Sequence, residues 1–343
     1  MKKWIWTIAS CFTVLVAGNA QAQVLSDMQQ CLLDKMNTTN ADTTIAEVRS
    51  QCEKQLRAAK KEEVVEVDAV EGEAGVLTKR IRSEQVTQFD PYVLTPHRRN
   101  YMLPIITSNN INREVYSGLQ GYQQNLEDYE AKFQVSFKVP FNRESLLFEN
   151  DRLFFGFTVQ SWWQVYSNKI SKPFRETNYM PEFFYATPTG WHPFGTNTGL
   201  VFGAEHLSNG SSQPLSRSWN RFYAQFVVEK GNFVFSVKPW IRLQEDPKTD
   251  PLQSSGDDNP NITDYVGDYE FTTAYSDGDF EYIFKLRHAI DTGRGSAELN
   301  WTFPIGGKFI GYTSIFTGYG ESLIDYNHKQ TRFGLGIALN NVL

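Results

Sequence analysis

Beyond Ala22 this chain has no long apolar run. Nothing there approaches the roughly 18 consecutive apolar residues that mark a membrane-spanning helix, so the mature chain has no transmembrane helix. Positive charge is also in short supply. Lys and Arg number 33 against 39 Asp and Glu, for a formal net charge of −6. That balance lacks the basic footprint of a nucleic-acid binder, and nucleic acid is excluded as a partner. Cysteine is scarcer still, with three copies at Cys11, Cys31 and Cys52.

The one apolar stretch lies at the start. Lys2 and Lys3 precede a largely apolar run over residues 4–16, and Ala20-Gln21-Ala22 offers an A-x-A cleavage site. Residues 1–22 therefore read as a cleaved secretory signal peptide, too short in its apolar part to stay as a membrane helix. Its loss removes two lysines and Cys11, leaving a more acidic, exported chain. Cys31 and Cys52 remain as an even pair in an oxidising compartment, which suits a disulfide. Two free thiols in a flexible arm are the alternative.

Residues 23–85 differ from the rest. Two helix-like patches, 25–36 and 44–61, hold the two cysteines, and the charged run KKEEVVEVDAVEGEAG follows. The composition reads as a solvated, partly helical periplasmic arm and linker.

What the chain has in quantity is aromatic side chains: 25 Phe, 16 Tyr and 8 Trp, 14% of all residues. From about Gln88 onward the apolar pattern has period two. Phe133, Val135, Phe137 and Val139 alternate with Gln134, Ser136 and Lys138; Phe333, Leu335, Ile337 and Leu339 alternate with Arg332, Gly334, Gly336 and Ala338. A soluble sandwich turns such an apolar face inward, whereas an outer-membrane barrel turns it outward over a polar interior. Strand candidates near ten residues long favour the membrane case. About twelve of them fit between Arg99 and Leu343, separated by turns such as Lys230-Gly231-Asn232. Trp162, Trp163, Tyr179, Trp240, Tyr312 and Tyr319 stand near strand ends and read as aromatic girdles at the two membrane interfaces. The expectation is an all-β fold: an antiparallel transmembrane β-barrel over residues 86–343 behind a small helical arm, in the cell outer membrane.

One stretch of this wall carries chemistry. On the strand that ends at Ser208, parity places Leu200, Phe202, Ala204, His206 and Ser208 on the lipid face, and Glu205 on the other. On the following strand Asn220 shares a face with Phe222, Ala224 and Phe226. A polar trio on a lipid face is costly unless it has a use. Ser208 is a candidate nucleophile, His206 the base that takes its proton, and Asn220 the acceptor that orients the imidazole. Gly210 can offer a backbone N–H to an oxyanion. A lone outward histidine near a strand end is more often just an interfacial residue, so the trio matters more than any member.

The run His206-x-Ser208-Asn209-Gly210, followed by Ser216-Arg217-Ser218-Trp219-Asn220-Arg221, resembles the signature of the outer membrane phospholipase A family. So do SWWQ at 161–164, PFRETNY at 173–179, KPW at 238–240, DDNP at 257–260 and YGESLIDYN at 319–327. The resemblance runs in order from about Ser161 to the end and does not extend to residues 23–85. It implies a twelve-stranded barrel and a calcium-dependent serine hydrolase that cleaves phospholipid acyl esters and is activated by homodimerisation. Ser208, His206 and Asn220 take the catalytic positions in it, with Gly210 at the oxyanion. It further implies about one Ca2+ per active site in the dimer, held by the Ser211 carbonyl, the Ser216 hydroxyl and Ser171 from a second copy. Asp258 matches a second calcium position in the monomer. Gln213 departs from the pattern, because the family has an acidic residue there, and calcium prefers charged oxygens. A passive porin is the rival reading, in which His206 and Ser208 are incidental; a purely structural or adhesive barrel is another.

Overall fold

The structure is a computed structural model that describes residues 27–38, 43–66, 74–250, 252–253, 255–307 and 309–343. The signal segment expected at 1–22 lies outside them. The chain divides into two compact units, Met1–Glu63 and Val64–Leu343.

In the first unit, helices α1 (Asp27–Thr38) and α2 (Ile45–Glu66) are joined by a Cys31–Cys52 disulfide. The start of α2 is set by a capping box. The Glu47 N–H donates to the Thr44 hydroxyl at 3.3 Å, and the Thr44 N–H donates back to the Glu47 carboxylate at 2.9 Å.

The second unit is a closed antiparallel barrel of twelve strands. These are β1 (Tyr101–Ser108), β2 (Tyr129–Pro140), β3 (Arg152–Trp163), β4 (Phe174–Thr189), β5 (Asn197–Ser208) and β6 (Ser218–Lys230). Then come β7 (Phe233–Arg242), β8 (Tyr269–Asp277), β9 (Phe280–Ala289), β10 (Arg294–Pro304), β11 (Ile310–Gly318) and β12 (Gln330–Ala338). Each pairs with its sequence neighbours, and β12 closes onto β1. Closure leaves no unpaired strand edge, the condition for crossing lipid with strands. Among the described residues no helix is long and apolar enough to cross a membrane.

The alternation comes out as the lipid-facing reading requires. On β2, Val135 is 55% exposed while its neighbours Gln134 and Ser136 are buried. On β12, Phe333 and Leu335 are exposed and Arg332 is buried. The polar interior is filled by ion pairs. Glu130 binds Arg175 at 3.0 Å and Arg332 at 2.7 Å, Arg175 reaches Asp325 at 2.9 Å, and Glu321 takes Lys132 at 2.8 Å and Arg332 at 3.1 Å. These charges are compensated and hydrogen-bonded within the wall, as buried charges must be.

The girdle reading fails at three aromatic positions. Trp162, Trp240 and Tyr312 are buried, with Trp162 donating to Glu321 at 2.9 Å and the Tyr312 hydroxyl donating to Asn300 at 2.6 Å. All three share strand parity with interior residues, and that parity overrides the preference of their side-chain type for the interface. Tyr179, in contrast, is exposed.

The two barrel ends differ. Tight two-residue turns at 231–232 and 278–279 lie at one end, and the long segments 109–128, 243–268 and 319–329 lie at the other. At the short-turn end a third helix, α3 (Val76–Thr87), is tied to the barrel. The Val76 N–H donates to the Gly231 carbonyl at 3.0 Å, the Thr78 N–H donates to the Glu229 carboxylate at 2.9 Å, and Lys138 pairs with Glu84 at 2.7 Å. The period-two pattern gave no sign of this helix.

Candidate active site

The site stands on β5 and β6 at the long-loop end. Strand alternation sends Glu205 inward, where it is buried against Arg98, Arg221 and Lys238, and sends Phe202 and His206 outward, where both are exposed. Behind this wall the Arg221 guanidinium lies 4.6 Å from the ring centres of both Trp219 and Trp240, which pack edge to face. The strand pair that carries the outward residues is thus backed by a packed, charged interior.

His206 and Asn220 are direct cross-strand partners, and Ser208 pairs with Ser218 in the same ladder. His206 Nδ1 and Asn220 Oδ1 are 2.8 Å apart. An amide oxygen is only an acceptor, so Nδ1 carries the proton of this bond and Nε2 is the ring nitrogen left free to act as a base. Ser208 lies two residues along on the same face, and its hydroxyl has no hydrogen-bond partner among the described residues. Catalytic hydrogen bonds of this type commonly tighten only when substrate is bound.

The turn after Ser208 is held by a residue that the sequence reading passed over. Asn209 is buried. Its Oδ1 accepts the Arg217 N–H at 2.9 Å and the Ser211 N–H at 3.3 Å, and its Nδ2 donates to the Leu215 carbonyl at 2.8 Å. One amide thus closes the whole 209–217 loop. Gly210 follows with φ +62°, and a Cβ there would stand 3.3 Å from Cε2 of Tyr179. No hydrogen bond within the described residues takes the Gly210 N–H, so it is available as a donor.

Of the four metal ligands that the resemblance implies, Ser211 is held in the loop by its N–H to Asn209, two others meet and one stands apart. Ser216 and Asp258, remote in sequence, meet: the Ser216 hydroxyl donates to Asp258 Oδ2 at 2.8 Å, and Gln213 Nε2 donates to Asp258 Oδ1 at 2.9 Å. Asp258 arrives on the 243–268 segment, which tucks Ile262 and Val266 into an apolar cluster with Trp219, Tyr223 and Trp240. Asn259, fully buried, accepts the Ser218 N–H at 3.3 Å and docks that segment on β6. The Lys248 ammonium also pairs with Asp258 Oδ1. Burial pushes the Asp258 carboxyl up, but the hydrogen bonds from Lys248, Gln213 and Ser216 outweigh it and hold the group below the usual carboxylate range. Ser171, by contrast, is exposed on the separate 164–173 segment, in left-handed backbone with φ 53°. It makes no hydrogen bond with Ser211, Ser216 or Asp258. The Asp258 carboxylate and the Ser216 hydroxyl are hard oxygens of the kind Ca2+ takes, while the Lys248 ammonium and the Gln213 amide nitrogen now occupy that carboxylate and would have to give way to a cation.

A closed twelve-stranded barrel with polar residues on its outer wall is the architecture of an outer-membrane barrel protein, and comparison with known proteins places it among the outer-membrane hydrolases. The Phospholipase A1 family profile matches residues 77–339, and the chain belongs to that family. It is 40% identical to the phospholipase A1 of Klebsiella pneumoniae over 74% of this chain and 84% of that protein. Among solved structures it resembles the outer membrane phospholipase A from Escherichia coli, with 38% identity and a TM-score of 0.67 over 74% of this chain and all of that one. It also resembles the calcium-bound dimer of the Salmonella typhi outer membrane phospholipase, with 35% identity and a TM-score of 0.69 over 80% of this chain and all of that one.

Proposed function

We propose that this protein is a calcium-dependent serine hydrolase of the outer membrane that cleaves acyl ester bonds of phospholipids. The observation that carries the reading is the His206–Asn220 hydrogen bond on the outer wall, two residues along the strand from Ser208. In outer-membrane barrels the long loops are extracellular, so the site faces the outer leaflet.

In this mechanism Ser208 Oγ attacks the ester carbonyl carbon while His206 Nε2 accepts its proton. Asn220 Oδ1 holds the Nδ1–H and favours the imidazolium as it forms. The Gly210 N–H donates to the oxyanion, a role whose loss costs ~3 kcal/mol in comparable sites. The tetrahedral adduct collapses, the imidazolium hands its proton to the leaving lysophospholipid alkoxide, and an acyl-Ser208 ester remains. Water, deprotonated by His206, then releases the fatty acid. The Ser211 carbonyl, the Ser216 hydroxyl and Ser171 of a second copy would hold calcium, with a further position at Asp258, and the ion would supply positive charge for the oxyanion. A ligand set that one barrel alone leaves incomplete would make activity depend on dimerisation. On export the signal at 1–22 is removed.

The porin reading has the interior against it. An open aqueous channel would wet the lumenal charges, whereas Glu130, Arg175, Asp325 and Arg332 are fully buried in mutual contacts.

The test is a micellar phospholipase assay of wild type and Ser208→Ala across a calcium titration. Ser208→Ala is expected to keep the barrel fold and lose hydrolysis, and chelation is expected to stop the wild type reversibly. Full turnover in Ser208→Ala would remove the nucleophile assignment, and turnover in chelator would remove the metal.

A further inference from the structure

A neutral asparagine in the third catalytic position raises two problems. Its amide oxygen and nitrogen are nearly the same shape, so either can face the imidazole; if the nitrogen does, the histidine is left in the wrong tautomer. It also brings no negative charge to favour the imidazolium. The segment that follows β7 addresses both.

Leaving β7, the chain continues alongside Asn220. The Leu243 N–H donates to the Asn220 carbonyl oxygen at 2.8 Å, extending the β6–β7 ladder past Arg242. Two residues further on, half-buried Glu245 accepts a hydrogen bond from Asn220 Nδ2 at 3.3 Å. No cation pairs with Glu245 among the described residues, and its one hydrogen bond there is the one to Asn220. The result is a chain of three bonded groups, His206, Asn220 and Glu245, on the wall that carries Ser208.

We propose that Glu245 is a positioning residue of the site. A carboxylate accepts and never donates, so it draws the Nδ2 donor of Asn220 toward itself and turns Oδ1 to His206. Nδ1 of His206 then keeps its proton, and Nε2 remains the base that faces Ser208. The same carboxylate places a negative charge one amide away from the imidazolium that forms during attack. Glu245 touches neither substrate nor the reacting atoms and acts only through Asn220. This inference rests on the hydrolase reading above.

The experiment uses full-length protein in mixed micelles with calcium, and measures kcat, KM and the rate at which an alkylsulfonyl fluoride inactivates the enzyme. Glu245→Gln keeps an acceptor and loses the charge, whereas Glu245→Ala loses both. The expected outcome is a drop in kcat of about tenfold for Glu245→Ala, with KM nearly unchanged and a matching fall in inactivation rate. Glu245→Gln should retain about a third of the wild-type kcat, since amide orientation survives. In an Asn220→Ala background, Glu245→Ala should cost nothing more, because its route of action has gone. Losses that multiply in the double variant, or a Glu245→Ala effect confined to KM, would overturn the positioning role. Ser208→Ala, run alongside, separates the two levels. Hydrolysis surviving there defeats the hydrolase reading itself; an inactive Ser208→Ala beside fully active Glu245 variants defeats only the role of Glu245.

Discussion

The Gln213 side chain donates to the Asp258 carboxylate across 2.9 Å, at the position where the family resemblance implies an acidic residue. An amide here can sit beside Asp258 without a cation; a carboxylate would need one between the two. Gln213→Glu should therefore bind calcium more tightly, on the order of tenfold. Calorimetric calcium titration reads this directly. An unchanged affinity would place residue 213 outside the metal site.

Lys248 holds the same carboxylate as an ammonium supplied by the chain itself. A divalent ion that uses Asp258 must displace it. Lys248→Met should lower the calcium concentration for half-maximal binding severalfold, an effect of about 1 kcal/mol for a partly exposed pair. If the titration curve does not move, the cation does not use Asp258.

Gly210 has left-handed backbone, and an added Cβ would come within 3.3 Å of the Tyr179 ring. Gly210→Ala should cost ~1–2 kcal/mol of local strain and displace the N–H proposed to donate to the oxyanion. The expected result is a fall in kcat on the order of tenfold to a hundredfold, with the thermal unfolding of the barrel little changed. A variant with wild-type kcat would assign the oxyanion donor elsewhere.

The interior network predicts a stability phenotype far from the chemistry. Arg332 answers both Glu130 and Glu321, and Arg332→Met leaves buried carboxylates short of a partner. The cost should be ~3–5 kcal/mol, read as a lower midpoint in urea unfolding from micelles. If the midpoint is unchanged, those charges are more hydrated than their burial implies.

The sequence made the wall legible and left the loops unread. Period-two alternation is a local property, so it placed Val135 and Phe333 toward lipid, Glu205 and Arg332 inward, and His206 and Asn220 on one face. The same parity turns Trp162, Trp240 and Tyr312 inward, against the interfacial preference of their residue type. Asn209, Glu245 and Lys248 carried no such signal. Their partners depend on how the 209–217 and 243–268 segments fold over the barrel mouth, and contacts across such sequence distances leave no period to detect. The docking of helix α3 is equally non-local: its anchors, Gly231 and Glu229, lie about 150 residues downstream.

The division of labour between the two faces of β5 makes the wall tolerant of substitution and intolerant of insertion. A single residue added between Phe202 and Glu205 would change no side chain's identity. It would nonetheless rotate every position beyond it by half a turn about the strand. His206 and Ser208 would enter the packed interior, and Glu205 would be exposed to hydrocarbon without its cations. Over evolutionary time such a strand can vary one side chain after another, but its length between the turn and Ser208 is fixed in steps of two.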